Sequence, residues 1–204
     1  MMDKIDGKTL KRLYVKEKKS AADIANIFNC SENKINYWLK KNKIPKRSMS
    51  EAIYVKNNPN GDPFKLKLPR NNSDEQLFGL GIGLYWGEGT KANKNTVRLG
   101  NSDAKLLKIF IVFLVKFFGI KKEDLRFHLH IFTDIRIDDA KKYWIEELDI
   151  SEEQIYKPFV SITGSLGTYR RKSEYGVMTV YYGNTKLRNK LVHLIEQQIN
   201  NKPL

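Results

Sequence analysis

Glu88 is the one carboxylate in the stretch FGLGIGLYWGEGT, residues 78–90, where it stands among five glycines. Glycines at this density serve either a loop that cradles phosphate or a helix that packs unusually close to a partner. A dinucleotide loop needs G-x-G-x-x-G after a strand, and a P-loop needs G-x-x-x-x-G-K-[ST]; neither spacing is present. The preceding NNSDEQLF reads as a helix start, with Ser73 and Gln76 in a capping-box pattern and Asp74 and Glu75 in the first turn. As a helix, the stretch aligns Gly79, Gly83 and Gly87 four residues apart on one face. Each costs roughly 0.5–1 kcal/mol against alanine, so close packing has to offset them. Glu88 then falls at the helix C-terminus, where the dipole disfavours a carboxylate and a divalent cation would stabilise it.

A second set of polar residues lies near the N-terminus. The helical spacing of GKTLKRLYVKEK places Leu10, Leu13 and Tyr14 on one face. SAADIANIF follows with Ser20 as N-cap and Asp23 in the first turn, and SENKINYWLKKNKI opens on a cap at Ser31. Ile24, Ala25 and Phe28 should face Ile35 and Trp38. Asn29, at the turn, is the best non-glycine choice for a left-handed residue. The segment AADIANIFNCSENKINYWLKKNKI resembles the helix-turn-helix of site-specific recombinases and many bacterial regulators. The resemblance implies that Ser31, Glu32, Asn33, Lys34, Asn36, Tyr37, Lys40 and Lys41, on or beside the third helix, reach DNA. Amides would read adenine edges, and lysines would grip phosphates. The alternative is a small helical bundle with a solvated basic face.

The charge agrees with a polyanionic partner. The 204 residues carry a formal net charge of +14 and the sequence pI is about 9.7, which points to nucleic acid before membrane. Residues 1–70 hold 17 basic and 7 acidic side chains, against 20 and 16 in the remainder. One cysteine, Cys30, allows no internal disulfide, and with three histidines it makes no Cys/His zinc site. The start lacks an apolar signal region, and IFIVFLVKFFGI, bounded by Lys108 and interrupted by Lys116, is too short to span a bilayer. The expectation is a cytoplasmic protein with no membrane partner and no evident small-molecule substrate. Prolines 45, 59, 63 and 69 fall in a Pro/Asn/Gly-rich stretch, so the chain divides into an N-terminal domain 1–44, a linker 45–72 and a domain 73–204.

With those elements in place, GIGLYWGEG (81–89) resembles the nonapeptide of the LAGLIDADG homing-endonuclease family. Gly83, Leu84, Gly87, Glu88 and Gly89 match its third, fourth and seventh to ninth places. Gly81, at a place normally held by a larger residue, and Trp86, at one often acidic, depart from it. The resemblance implies an α+β fold, an αββαββα unit whose antiparallel sheet carries its helices on one face. TVRLGNS, LRFHLHIF, KPFVSIT and YGVMTVYYG supply strands. DAKLLKIFIVFLVKFFG and TKLRNKLVHLIEQQI supply helices, the latter with Leu187, Leu191, Leu194 and Ile195 inward. One extra acidic helix in DDAKKYWIEELDISEEQ is inserted, and it should lie away from DNA. The polar face of the sheet would carry the contacts to double-stranded DNA: Arg98, Arg126, His128, His130 and the cluster Arg170, Arg171, Lys172. Tyr181 and Tyr182 are expected to pack in the sheet rather than to stack on bases. The two histidines alone, without a third ligand, read as surface residues rather than a metal site.

The same resemblance implies phosphodiester hydrolysis, with Glu88 of each of two halves binding Mg²⁺. The chain holds a single nonapeptide, so two halves require a homodimer joined through Gly79, Gly83 and Gly87 and a roughly palindromic site. Lys91, Lys172 and the histidines are candidates for a general base. The competing function is a DNA-binding regulator that keeps the fold without cutting. A recombinase finds no nucleophile constellation to support it.

Overall fold

Ser20 and Ser31 each begin a helix. The Ser20 hydroxyl accepts from the Asp23 N–H at 3.0 Å while the Asp23 carboxylate accepts from the Ser20 N–H, closing a capping box. Ser31 accepts from the Lys34 N–H at 3.3 Å. The computed structural model describes residues 5–162 and 173–200, and they fall into two compact units, 1–63 and 64–204.

The first unit contains α1 (Gly7–Lys11), which continues as a π-helical turn over Arg12–Lys16, then α2 (Ala21–Ile27), α3 (Glu32–Lys41) and α4 (Met49–Asn57). Its core joins Leu10, Leu13, Tyr14, Ile24, Ala25, Ile35, Trp38 and Leu39. Asn29, between α2 and α3, takes φ +45°, as its place in the turn requires. Phe28 is only half-buried against this core.

The linker reading of 45–72 is revised at both ends. Ser48 caps α4 by accepting from the Glu51 N–H at 3.2 Å. Residues 64–67 already belong to the second unit, where the Lys65 and Lys67 amides donate to the Phe118 and Phe117 carbonyls at 2.8 and 2.7 Å. Phe64 and Leu66 pack on that core.

In the second unit follow α5 (Asn72–Glu88), β1 (Val97–Asn101), α6 (Ala104–Phe118), β2 (Arg126–Phe132), α7 (Ile137–Leu148), β3 (Phe159–Ser161), β4 (Val177–Tyr182) and α8 (Thr185–Asn200). The class is α+β, and the described residues form a four-stranded sheet in the order β1-β4-β2-β3. The sheet is mixed, not wholly antiparallel: β4 runs antiparallel to both β1 and β2, whereas β3 runs parallel to β2. The inserted acidic helix is the reason. A parallel neighbour needs a crossover connection, and α7, lying between β2 and β3 in the chain, supplies one.

Leu99, Phe127, Leu129, Met178 and Val180 point from the sheet into one core with the helices. The alternation read in LRFHLHIF holds: Leu125, Phe127, Leu129 and Ile131 are fully buried, and Leu187, Leu191, Leu194 and Ile195 close the core from α8. The acidic α7 joins the same helical layer through Ala140, Trp144 and Leu148. Its flank is tied down by ion pairs from Lys108 to Glu147 and Lys141 to Glu152.

Only one named strand separates α5 from α6. Gly89 makes an isolated antiparallel bridge to Leu99, a rudimentary partner for β1. Helix α5 begins two residues earlier than the Ser73–Gln76 pattern implies. Asn71 is the cap, accepting from the Asp74 N–H at 2.9 Å, and Asp74 answers by accepting from the Arg70 N–H at 3.1 Å.

Candidate nucleic-acid interface

Two surfaces collect the candidate residues, one in each unit. On α3, burial of Ile35, Trp38 and Leu39 leaves Asn33, Tyr37 and Lys40 exposed, with Asn36 half-buried beside them. Positions 33, 37 and 40 are four and three apart, so they form one stripe along the helix. Ser31 and Lys41 stand apart from it. The Ser31 hydroxyl is engaged as the cap, and the Lys41 ammonium folds back over the Trp38 ring at 4.8 Å and the Tyr37 ring at 5.7 Å. Lys34 is half-buried next to the cap.

Arg47 is the residue in this unit that sequence patterning passes over. Its guanidinium donates to the carbonyls of Tyr14, Lys18 and Lys19 at 2.8, 3.0 and 2.6 Å and lies 4.1 Å over the Tyr14 ring. Its own N–H donates to the Tyr14 hydroxyl at 3.0 Å. Arg47 thereby fastens the chain beyond α3 to the end of the π-helical turn. It also helps line an open groove of about 830 Å³ between the bundle and α4, with Lys18, Lys46 and Lys56 on its walls.

In the second unit, the sheet's outward face gathers Arg98, Arg126 and His128 around Tyr181. Register places Arg98 and Arg126 on either side of Tyr181. The Arg98 guanidinium lies 4.9 Å over its ring, and the His128 ring meets it edge-on at 6.3 Å. Arg126 spends one nitrogen on its own turn, donating to the Glu123 and Leu125 carbonyls at 2.7 and 2.9 Å. His130 is set further along, bonded to the Ser161 hydroxyl at 2.8 Å and in ring contact with Phe132 and Phe159. Tyr182 is buried in the core, as expected. Tyr181 is instead on the outward face, because β4 alternates and adjacent residues face opposite ways. Arg170, Arg171 and Lys172 lie outside the described residues.

Glu88 is the exposed last residue of α5, and the chain turns directly from it into the edge of β1, with the Thr90 N–H donating to the Arg98 carbonyl at 3.0 Å. Lys91 donates to the Trp86 carbonyl, so its ammonium sits at the negative end of the helix. Arg188 of α8 holds the Lys91 carbonyl.

The glycine stripe divides by face. Methyls built on Gly79, Gly83 and Gly87 would meet nothing within 4 Å among the described residues, and all three are exposed beside Leu80 and Trp86. The close approach inside the chain is made by Gly81, where a methyl would fall 2.2 Å from the Phe113 ring. The small residue at position 81 therefore has a packing reason.

Among the described residues, no three His, Cys, Asp or Glu side chains converge as a metal site. Glu88 with the carbonyls of a helix terminus fits a hard cation in kind, since both are oxygen donors. One carboxylate is a partial set. No helix among the described residues is long and apolar enough to cross a membrane. Comparisons with protein-family models, with characterised proteins and with solved structures returned no match to this chain.

Proposed function

We propose that the chain is a site-specific protein of double-stranded DNA that acts as a homodimer and cuts phosphodiesters in the manner of a LAGLIDADG endonuclease. The observation that carries DNA binding is the stripe Asn33, Tyr37, Lys40 on a capped, rigidly packed α3 in a unit rich in positive charge. Amides on such a stripe suit adenine edges, and the lysine suits phosphate. The exposed, unfilled surface of Gly79, Gly83 and Gly87 supports a second copy as the partner of α5. That pairing would bring two Glu88 carboxylates to one place. Mg²⁺ held there would polarise the scissile phosphate and lower the pKa of a bound water. Of this chain's residues, Glu88 would bind the ion, and Arg98, Arg126 and His128 would hold the DNA backbone beside it. Lys91 is bonded to the helix terminus, which suits it to a positioning role better than to proton abstraction.

The non-cleaving regulator is favoured by two features. The mixed sheet and the single named strand between α5 and α6 depart from the αββαββα unit on which a nuclease site would be built.

Selecting a bound site from random duplexes tests the binding claim. On the selected site, Asn33→Ala is expected to relax preference at one or two base pairs, by about 1–3 kcal/mol each. Lys40→Ala should weaken all sequences alike and reduce the salt dependence of binding. Failure to select any site, or uniform weakening by Asn33→Ala, would overturn it.

A further inference from the structure

We infer that the outward face of the sheet takes unpaired nucleotides of DNA, stacking their bases at Phe159 and Tyr156. The inference rests on the DNA-binding reading above and assigns this face a different form of the polymer from that read by α3. None of the strand residues that point outward from β1, β2, β3 and β4 is acidic, while Arg98 and Arg126 are cationic. The face thus suits a polyanion. Its distinguishing feature is aromatic. Phe159 and Tyr156 are 56% and 51% exposed at the β3 end, where Phe159 flanks His130 at 5.1 Å and Tyr156 meets Tyr181 edge-on at 6.2 Å.

A surface that only grips a duplex backbone has use for cations and hydrogen-bond donors, not for exposed rings. Bases in a duplex are already stacked and present only their edges in the grooves. Ring faces are available in unpaired nucleotides, and their stacking on aromatic side chains beside a cationic track is how single strands are held without sequence preference. Here the two kinds of group are sorted across one face. Arg98 and Arg126 flank Tyr181 at the cationic end, where Tyr156 adds a ring edge-on, and Phe159 with His130 marks the purely aromatic end. A strand laid across the sheet would place phosphates at the first and bases at the second. For a protein acting on duplex DNA, the source of such nucleotides is a locally opened or distorted site.

The test is fluorescence anisotropy of the full-length chain with a labelled oligothymidine strand, which cannot pair with itself, and with a labelled duplex. Phe159→Ala should weaken oligothymidine binding by ~5-fold or more, the lower end for loss of one base–aromatic stack. Duplex affinity should stay within about twofold. Phe159→Trp should restore single-strand binding, and Tyr156→Ala should weaken it independently. Phe159 sits at an exposed edge, so a thermal melt matching the wild type verifies folding. Equal loss on both ligands, no loss on either, or a Phe159-dependent change in oligomeric state would each overturn the inference. If Lys40→Ala leaves duplex binding intact while the Phe159 result holds, the α3 reading fails and this one stands.

Discussion

Phe113 lays its ring against Gly81 so closely that a single methyl there would fall 2.2 Å from the ring's Cγ. Two residues further along α5, a methyl on Gly83 would meet open space. The same residue type in one helix therefore serves two opposite faces, one sealed by α6 and one uncovered. Gly81→Ala should destabilise the second unit by about 1–3 kcal/mol through overpacking. Gly83→Ala should leave a monomer as stable or stabilise it by up to roughly 1 kcal/mol through helix propensity. Denaturant titration followed by tryptophan fluorescence separates the two. If a second copy covers the uncovered face, Gly83→Val will lower dimer content in sedimentation while its monomer remains folded. A stable Gly83→Val dimer would remove this seam from the account.

The first unit depends on Arg47 in a way that charge alone does not convey. Its fork engages three carbonyls at the end of the π-helical turn and stacks on Tyr14. Arg47→Ala should cost about 2 kcal/mol, since the part-buried carbonyls of Tyr14 and Lys19 lose a charged donor. Arg47→Lys should fail to rescue it, because an ammonium cannot present the planar fork. Full rescue by lysine would reduce the residue to a point charge.

Asp74 gives a pH signature. The Lys116 ammonium at 2.5 Å, and then the Arg70 N–H, hold its carboxyl below the usual carboxylate range. A depressed folded pKa means that the stabilisation is present above the unfolded value of about 3.9 and is lost as pH falls through the folded one. Asp74→Asn should therefore be less stable than wild type near neutrality, with the difference shrinking as pH drops below roughly 4. Other capped carboxylates, Asp6 and Asp23 among them, titrate in the same direction, so the difference between the two proteins is the quantity to follow. A pH-independent difference would contradict the ion pair.

Most elements were legible because their periods are clean. The strict alternation of β2 and the leucine spacing of α8 gave both their type and their buried face. Ser20 and Ser31 announced helix starts by local hydrogen bonds that need no tertiary context. What escaped was set by distant partners or masked by composition. Proline and asparagine around 45–63 obscured the Ser48–Glu51 cap of α4. The alternation Phe64–Leu66 is too brief to declare a strand, and it gained meaning only from the carbonyls of α6. Whether β3 runs parallel or antiparallel depends on where the crossover places it, which its three residues cannot encode. Within the candidate site, the stripe on α3 and the position of Glu88 at a helix end were readable. Arg47, Gly81 and the exposed rings of Tyr156 and Phe159 were not, because each matters through a neighbour remote in sequence.

The central claim is metal-dependent hydrolysis of bound DNA through Glu88, and end-labelled cleavage of a selected duplex in Mg²⁺ tests it most directly. The account predicts that wild type cuts both strands at the selected site. It predicts that Glu88→Gln dimerises and binds the same duplex with unchanged or tighter affinity, since a charge is removed from a helix C-terminus, and cuts neither strand. Cleavage by Glu88→Gln at the wild-type rate, or no cleavage by a wild type that binds and dimerises, would contradict it.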